Sequence, residues 1–161
     1  MIVVLMGVTG SGKTTVGRIL AGRLGWPFFD ADDYHPAANV EKMRRGIPLT
    51  DADRKPWLER LSGLIDEAVA RGESLVLACS ALKHAYQEYL RHHGDAVRYV
   101  CLCGSPELIR ARLAARRGHF MDPSLLASQL EILEPPADAV RVDVGGTPEA
   151  IADEIRARLG V

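Results

Sequence analysis

The sequence predicts an α/β fold built on a parallel sheet, and three observations carry that prediction. Short apolar runs recur along the chain, separated by stretches with helical periodicity. The first run, Ile2 to Met6, is apolar without a break, as a strand covered on both faces requires. A glycine-bearing turn follows at once and opens into an amphipathic segment.

The elements follow in order. After the strand ending near Gly7, the apolar positions Val16, Ile19, Leu20 and Leu24 recur at helical spacing from Lys13, and Gly25 supplies the stop. Pro27 to Asp30 reads as a second strand, Leu75 to Cys79 as a third, Val97 to Cys103 as a fourth and Ala139 to Val144 as a fifth. Two excursions break this rhythm with polar, glycine-bearing sequence, as lids over a site do. The first, over 34–72, predicts a helix from Pro36, a turn through Gly46 to Asp53, and a helix from Pro56 to Arg71 with the stripe Trp57, Leu58, Leu61, Leu64, Ile65, Ala68 and Val69. The second, over 112–133, leads from an arginine-rich helix through Gly118 to a short helix from Pro123.

With 161 residues there is room for one domain, and 47% apolar residues suffice for a core. Twenty Lys plus Arg balance twenty-one Asp plus Glu, so no global field favours nucleic acid or an anionic membrane, and any anion site must be local. No run is long and apolar enough to span a membrane, and the start lacks a signal-peptide pattern, so a cytoplasmic protein is expected. Cys79, Cys101 and Cys103 form no C-x-x-C and read as small core residues. Sixteen arginines outnumber four lysines: Lys13, Lys42, Lys55 and Lys83.

The stretch GVTGSGKT satisfies G-x-x-x-x-G-K-[ST] between a buried strand and a helix, where that motif works mechanically. The backbone of Gly7, Val8, Thr9, Gly10, Ser11 and Gly12 can wrap a phosphate with converging N–H groups, and Lys13, Thr14 and Thr15 open the helix whose N-terminus faces it. Lys13 reaches the β and γ phosphates and Thr14 can ligate magnesium, so ATP with Mg²⁺ is the expected pair. The guanine-reading N-K-x-D pattern is absent, since Asn39 is the only asparagine, and the chain is too short for a motor ATPase core. A small-molecule kinase remains.

Such an enzyme must orient an acceptor hydroxyl, place a carboxylate near magnesium and follow the migrating charge with cations. Asp30 and Asp32 stand two apart at the end of strand two, where an extended backbone would point both to the cleft, against the alternative of a solvated acidic turn. His35 before Pro36 can hydrogen-bond a polyol or simply enter a helix. Arg54 can pair with a substrate carboxylate or with Asp51 or Asp53 at the surface. Arg116 and Arg117, beside the Gly118 hinge, are candidates for an arginine finger in cis or for a solvated helix face.

The strings DADDYHPAANVEKMRRGIPLTDADRKPWLERL, CSALKHAY and ARRGHFMDPSLLASQLEILEPP resemble gluconokinases of the small P-loop type over nearly the whole chain. The resemblance implies a nucleoside-monophosphate-kinase-like fold with strand order 2-3-1-4-5. It implies transfer of the ATP γ-phosphoryl group to the 6-hydroxyl of D-gluconate, feeding 6-phosphogluconate into the pentose phosphate route, and a homodimer. It gives Asp32 as the acceptor-side base, Asp30 as the magnesium-side carboxylate, Arg54 and Lys83 as substrate contacts, Arg112 as an adenine-side contact and Arg116 as the lid cation; His35 and His119 are also expected among the substrate contacts, and Asp30 is expected to reach magnesium through water. Ala31 replaces the glycine of the commoner D-G-D version, which touches only local backbone geometry. Shikimate kinases fit less well, having a glycine-rich turn where this chain has CSALK, and adenylate kinases less again. A regulatory nucleotide-binding module would lack the acceptor-side residues present here.

Overall fold

The computed structural model describes residues 1–116 and 124–161. In chain order the elements are β1 (Ile2–Met6), α1 (Lys13–Leu24), β2 (Phe28–Asp30), a 3₁₀ turn (Ala31–Tyr34), α2 (Ala37–Arg44), α3 (Asp51–Ala70), β3 (Leu75–Ala78), α4 (His84–Leu90), a 3₁₀ turn (Gly94–Ala96), β4 (Val97–Cys103), α5 (Pro106–Ala115), α6 (Leu125–Ile132), β5 (Val140–Asp143) and α7 (Pro148–Leu159). The five strands form one parallel sheet in the order β2-β3-β1-β4-β5. Ile2 pairs with Leu75 on one side and Val97 on the other, so β1 is central and wholly buried.

Alternation along β1 splits the core into two layers. Ile2, Val4 and Met6 pack with Trp57, Leu61 and Ile65 of α3 and Leu90 at the end of α4. Val3 and Leu5 pack with Val16 and Leu20 of α1 and Ile151 and Ile155 of α7. Helix α1 lies unusually close to the sheet: a Cβ on Gly17 would stand 2.5 Å from Phe28 Cε2 and 3.2 Å from Leu5 Cδ1. This packing fixes the direction in which the α1 N-terminus points, which is towards the carboxyl ends of the strands, where ligands gather in open parallel sheets.

The strands match their expected ranges to within a residue, and β4 coincides with its own. The first excursion needs correction. Helix α3 begins at Asp51 rather than Pro56, which lies inside it. Thr50 starts the helix instead: its Oγ1 accepts the Asp53 N–H at 3.1 Å, and the Asp53 carboxylate accepts the Thr50 N–H at 2.9 Å. This reciprocal capping box satisfies two donors that would otherwise be orphaned. Arg54, expected in a turn, therefore sits on a helix. Pro36 is the N-cap of α2 rather than its first residue. The expected start at Pro123, the hinge Gly118, and Arg117 and His119 lie outside the described residues.

Candidate active site

The phosphate loop runs from Gly7 to Gly12 between β1 and α1, and its glycines are needed for shape. Gly12 has φ +95° and Gly10 φ +81°, and a Cβ on Gly10 would stand 2.8 Å from Leu113 Cγ on α5. Such conformations are open to glycine at little cost. Lys13 Nζ donates to the carbonyls of Gly7 and Val8, each at 2.9 Å, which closes the loop over its own lysine. Burial lowers the Lys13 pKa, while the nearby carboxylates of Asp32 and Asp30 act to raise it and so favour the ammonium.

Asp30 and Asp32 converge on this loop by a route the sequence does not give. Strand β2 stops at Asp30, and Asp32 belongs to the following 3₁₀ turn, so no extended backbone spans the pair. The turn forms because Asp30 Oδ1 caps it, accepting the Asp32 N–H at 3.1 Å. Asp30 Oδ2 accepts the Thr14 hydroxyl at 2.6 Å. A hydroxyl and a carboxylate joined beside a phosphate loop offer the oxygen donors that magnesium prefers. Ser11 Oγ is buried with no hydrogen-bond partner among the described residues, and the loop glycines at positive φ turn the backbone without adding side chains of their own. The residues present therefore fit a triphosphate with magnesium.

Three adjoining hollows line up across this end of the sheet. One, of about 380 Å³, lies between the loop, Arg112 and Arg116 of the α5 end, and Pro148 and Ile151 of α7. It shares Gly10, Gly12 and Arg116 with a small hollow of about 30 Å³ around Lys13, Thr14 and Asp30. That one in turn shares Asp32, Ser80 and Gln129 with a third, of about 170 Å³, which contains His35, Arg54 and Lys83. The succession fits a nucleoside, its phosphates and an acceptor, with Asp32 at the last junction.

In the acceptor hollow His35 stacks on Trp57, with ring centroids 4.5 Å apart, and Trp57 Nε1 donates to Ala31 O at 2.7 Å. Burial is the main cause that holds His35 down to about 4; Asp32 opposes the shift and Arg54 adds to it. The imidazole is therefore neutral near pH 7. Asn39 Nδ2 donates to His35 Nδ1 at 3.3 Å, which leaves Nε2 as the N–H donor. Arg54 pairs with neither Asp51 nor Asp53: its guanidinium donates to Leu49 O and to Tyr86 Oη at 3.2 Å, and lies over the Tyr86 ring. Asp51 is taken by Lys83 at 3.1 Å and by the Tyr86 hydroxyl, and Asp53 by Lys42 at 2.7 Å. Two cations, Arg54 and Lys83, thus flank Tyr86 at the hollow.

Of the remaining candidates, Arg112 donates to Val144 O beside the nucleoside hollow, and Arg116 Nη1 reaches Thr9 Oγ1 at 3.5 Å. Three contributors escaped sequence reading. Ser80 follows β3 and lines both inner hollows, next to Ala81, a non-glycine residue at φ +40°. Trp57 reads as one more core position, although the P-W-L string marks it. Gln129 of α6 accepts the Thr9 N–H at 2.6 Å and carries no sequence signal. Cys79 and Cys101 are core residues and Cys103 is half-buried against the core; burial pushes Cys79 and Cys101 up to about 12, far from a reactive thiolate.

The phosphate loop, the carboxylate pair and the adjoining acceptor hollow define a P-loop kinase, an ATP-dependent phosphotransferase. The model of the AAA domain family matches residues 2–136. Gluconokinase of Gluconobacter oxydans is 48% identical over 94% of this chain and 87% of its own, and the thermosensitive gluconokinase of Escherichia coli 43% over 95% and 84%. The crystal structure of a gluconokinase from Sinorhizobium meliloti superposes with a TM-score of 0.86 at 43% identity, covering 98% of this chain and 90% of that one. An APS kinase from Mycobacterium tuberculosis, at 20% identity and a TM-score of 0.70, shares the fold. The chain belongs to the gluconokinase family.

Proposed function

We propose that this enzyme transfers the γ-phosphoryl group of ATP to the 6-hydroxyl of D-gluconate, giving 6-phosphogluconate and ADP. The observation that carries the reading is Asp32 at the junction between the phosphate hollow and an acceptor hollow that also holds Arg54 and Lys83. Gluconate has a carboxylate at one end and a primary hydroxyl at the other. Cations that take the carboxylate in a bidentate or point-charge contact leave the far hydroxyl to be presented to the phosphate loop. Neutral His35 and the side chains of Ser80 and Gln129 suit the hydroxyls between.

Asp32 would orient the attacking hydroxyl and take its proton late, because phosphoryl transfer is loose and depends on positioning. Lys13 and Arg116 would follow the charge that migrates to the β,γ bridge, and Arg112 would border the adenosine. Magnesium, held by Thr14 and through water by Asp30, would supply charge neutralisation at the phosphate oxygens. His119 would be a further substrate contact, and the whole chain would act as one kinase domain. The wider reading includes a homodimer, a cytoplasmic location and supply of the pentose phosphate route. Among the described residues no helix is long and apolar enough to cross a membrane.

The test is a coupled ADP-release assay over gluconate, other aldonic acids, shikimate and the common nucleoside monophosphates. Gluconate is expected to give the highest kcat/KM. Preference for shikimate or a monophosphate would overturn the assignment of the acceptor.

A further inference from the structure

Away from the catalytic cleft, the far ends of α3 and α4 are tied together by three side chains that the kinase chemistry does not use. Asp66 lies on α3, and His92 and His93 follow the end of α4. His92 Nε2 is 2.5 Å and His93 Nε2 2.6 Å from the same oxygen, Asp66 Oδ1, and the three ligand atoms all lie within 4.8 Å of one another. The two imidazoles pack at 4.3 Å between centroids, tilted by 43°.

The orientation of His92 is set from behind. Its Nδ1 is 3.1 Å from the carbonyl oxygen of Tyr89, which can only accept, so Nδ1 carries the hydrogen. Nε2 then faces the Asp66 oxygen: a protonated ring donates to it, a contact that raises the His92 pKa, and a neutral ring presents a lone pair that needs a cation beside it. A ring N–H held by a backbone carbonyl is also the usual support behind a metal-binding histidine.

We propose that Asp66, His92 and His93 form a binding site for a divalent transition-metal ion of the zinc type, with water completing its shell. Two imidazole nitrogens and one carboxylate match the donor sets such ions accept, and they differ from the all-oxygen surroundings of magnesium. Ligand atoms around tetrahedral zinc stand about 3.3 Å apart at bond lengths of about 2.0 to 2.2 Å. The Asp66 oxygen must therefore draw back by less than about 1 Å, which a half-exposed side chain can do. The bound ion would brace α3, which carries Arg54 near its start, against α4, which carries Tyr86. Asp66 is twelve positions along α3 from Arg54, roughly 18 Å at 1.5 Å per residue, so the brace stands clear of the acceptor hollow.

The metal-stripped full chain is titrated with Zn²⁺ in excess Mg²⁺, by calorimetry and by thermal unfolding, and with Co²⁺ as a spectroscopic probe. One equivalent should bind, with Tm raised by about 5 to 10 °C at a hundredfold excess over Kd. Co²⁺ should give the visible absorption of a low-symmetry nitrogen and oxygen site. The double variant His92→Gln/His93→Gln should lose all three responses, and Asp66→Asn should weaken binding at least tenfold. All three side chains are partly exposed, so the variants are expected to fold and to keep the zinc-free kinase activity. No stabilisation of the unaltered chain, or the same stabilisation in the double variant, overturns the site and leaves a clasp made by protons alone.

Discussion

Asp30 and Asp32 carry the same carboxylate into different surroundings, and the difference decides what each substitution should do. Both oxygens of Asp30 are engaged, one by Thr14 Oγ1 and one by the Asp32 N–H, the contacts that support its proposed role beside magnesium. Asp32 instead borders the acceptor hollow. Asp32→Asn should leave ATP binding nearly intact and lower kcat by about 10² to 10⁴, the usual span for a general base. Asp30→Asn should lose activity that raised magnesium partly restores, a response absent at Asp32. Rescue at Asp32 and none at Asp30, measured as kcat against metal concentration, would reverse the two roles. A second prediction concerns His35, which burial holds at about 4 against an ordinary 6.5. Between those values the unfolded chain binds a proton that the folded chain does not, so stability rises with pH through that window. The contribution is fully present above about 6.5 and is lost as pH falls towards 4. His35→Gln should therefore show a shallower fall in Tm from pH 7 to pH 4.5 than the unaltered chain. Parallel curves would mean that the imidazole titrates in the fold as it does in water.

At the scale of elements, what the sequence shows and what it hides separate along physical lines. The strands and α1 are legible because unbroken apolar runs and a 3.6-residue stripe reflect burial, which many residues specify together. The phosphate loop is legible because its geometry is local and needs glycine at fixed places. The start of α3 and the turn after β2 are not legible, since each hangs on one or two side-chain bonds to backbone, Thr50 with Asp53 and Asp30 with Asp32. A proline is a strong cue for a helix start, and at Pro56 the capping box outweighs it. The cap also bears on function, because Arg54 stands four residues after Thr50 and its guanidinium meets Leu49 O. Thr50→Ala should cost about 1 kcal/mol, the usual loss of an N-cap, and lower Tm by about 2 to 4 °C. It should also raise the gluconate KM more than the ATP KM. A Tm unchanged within error would show that the Asp53 carboxylate, still bonded to the residue 50 N–H and to Lys42, holds the helix start by itself.

Across the whole molecule, Gln129 joins parts that the sequence keeps 120 positions apart. Its Oε1 accepts the Thr9 N–H at 2.6 Å, so a donor of the phosphate loop is held by α6, and the same side chain borders the acceptor hollow. No periodicity could reveal this, because α6 reads as an apolar helix and the contact exists only once α6 lies against the loop. A phosphate oxygen arriving at the Thr9 N–H would have to displace Gln129, whose side chain also lines the acceptor hollow. Nucleotide binding would thereby be linked to the shape of the acceptor hollow, and linkage of this kind acts equally in both directions. Gln129→Ala removes the competitor for the Thr9 N–H. A neutral hydrogen bond contributes about 0.5 to 1.5 kcal/mol net, so ATP should bind roughly two- to tenfold more tightly to the variant without gluconate. The acceptor hollow loses a polar group at the same time, so the gluconate KM should rise. Calorimetry of ATP alone, set beside the KM for gluconate at saturating ATP, reads both effects. Weaker ATP binding in the variant would mean that Gln129 contacts the nucleotide itself, and that the bond to Thr9 positions it for that contact.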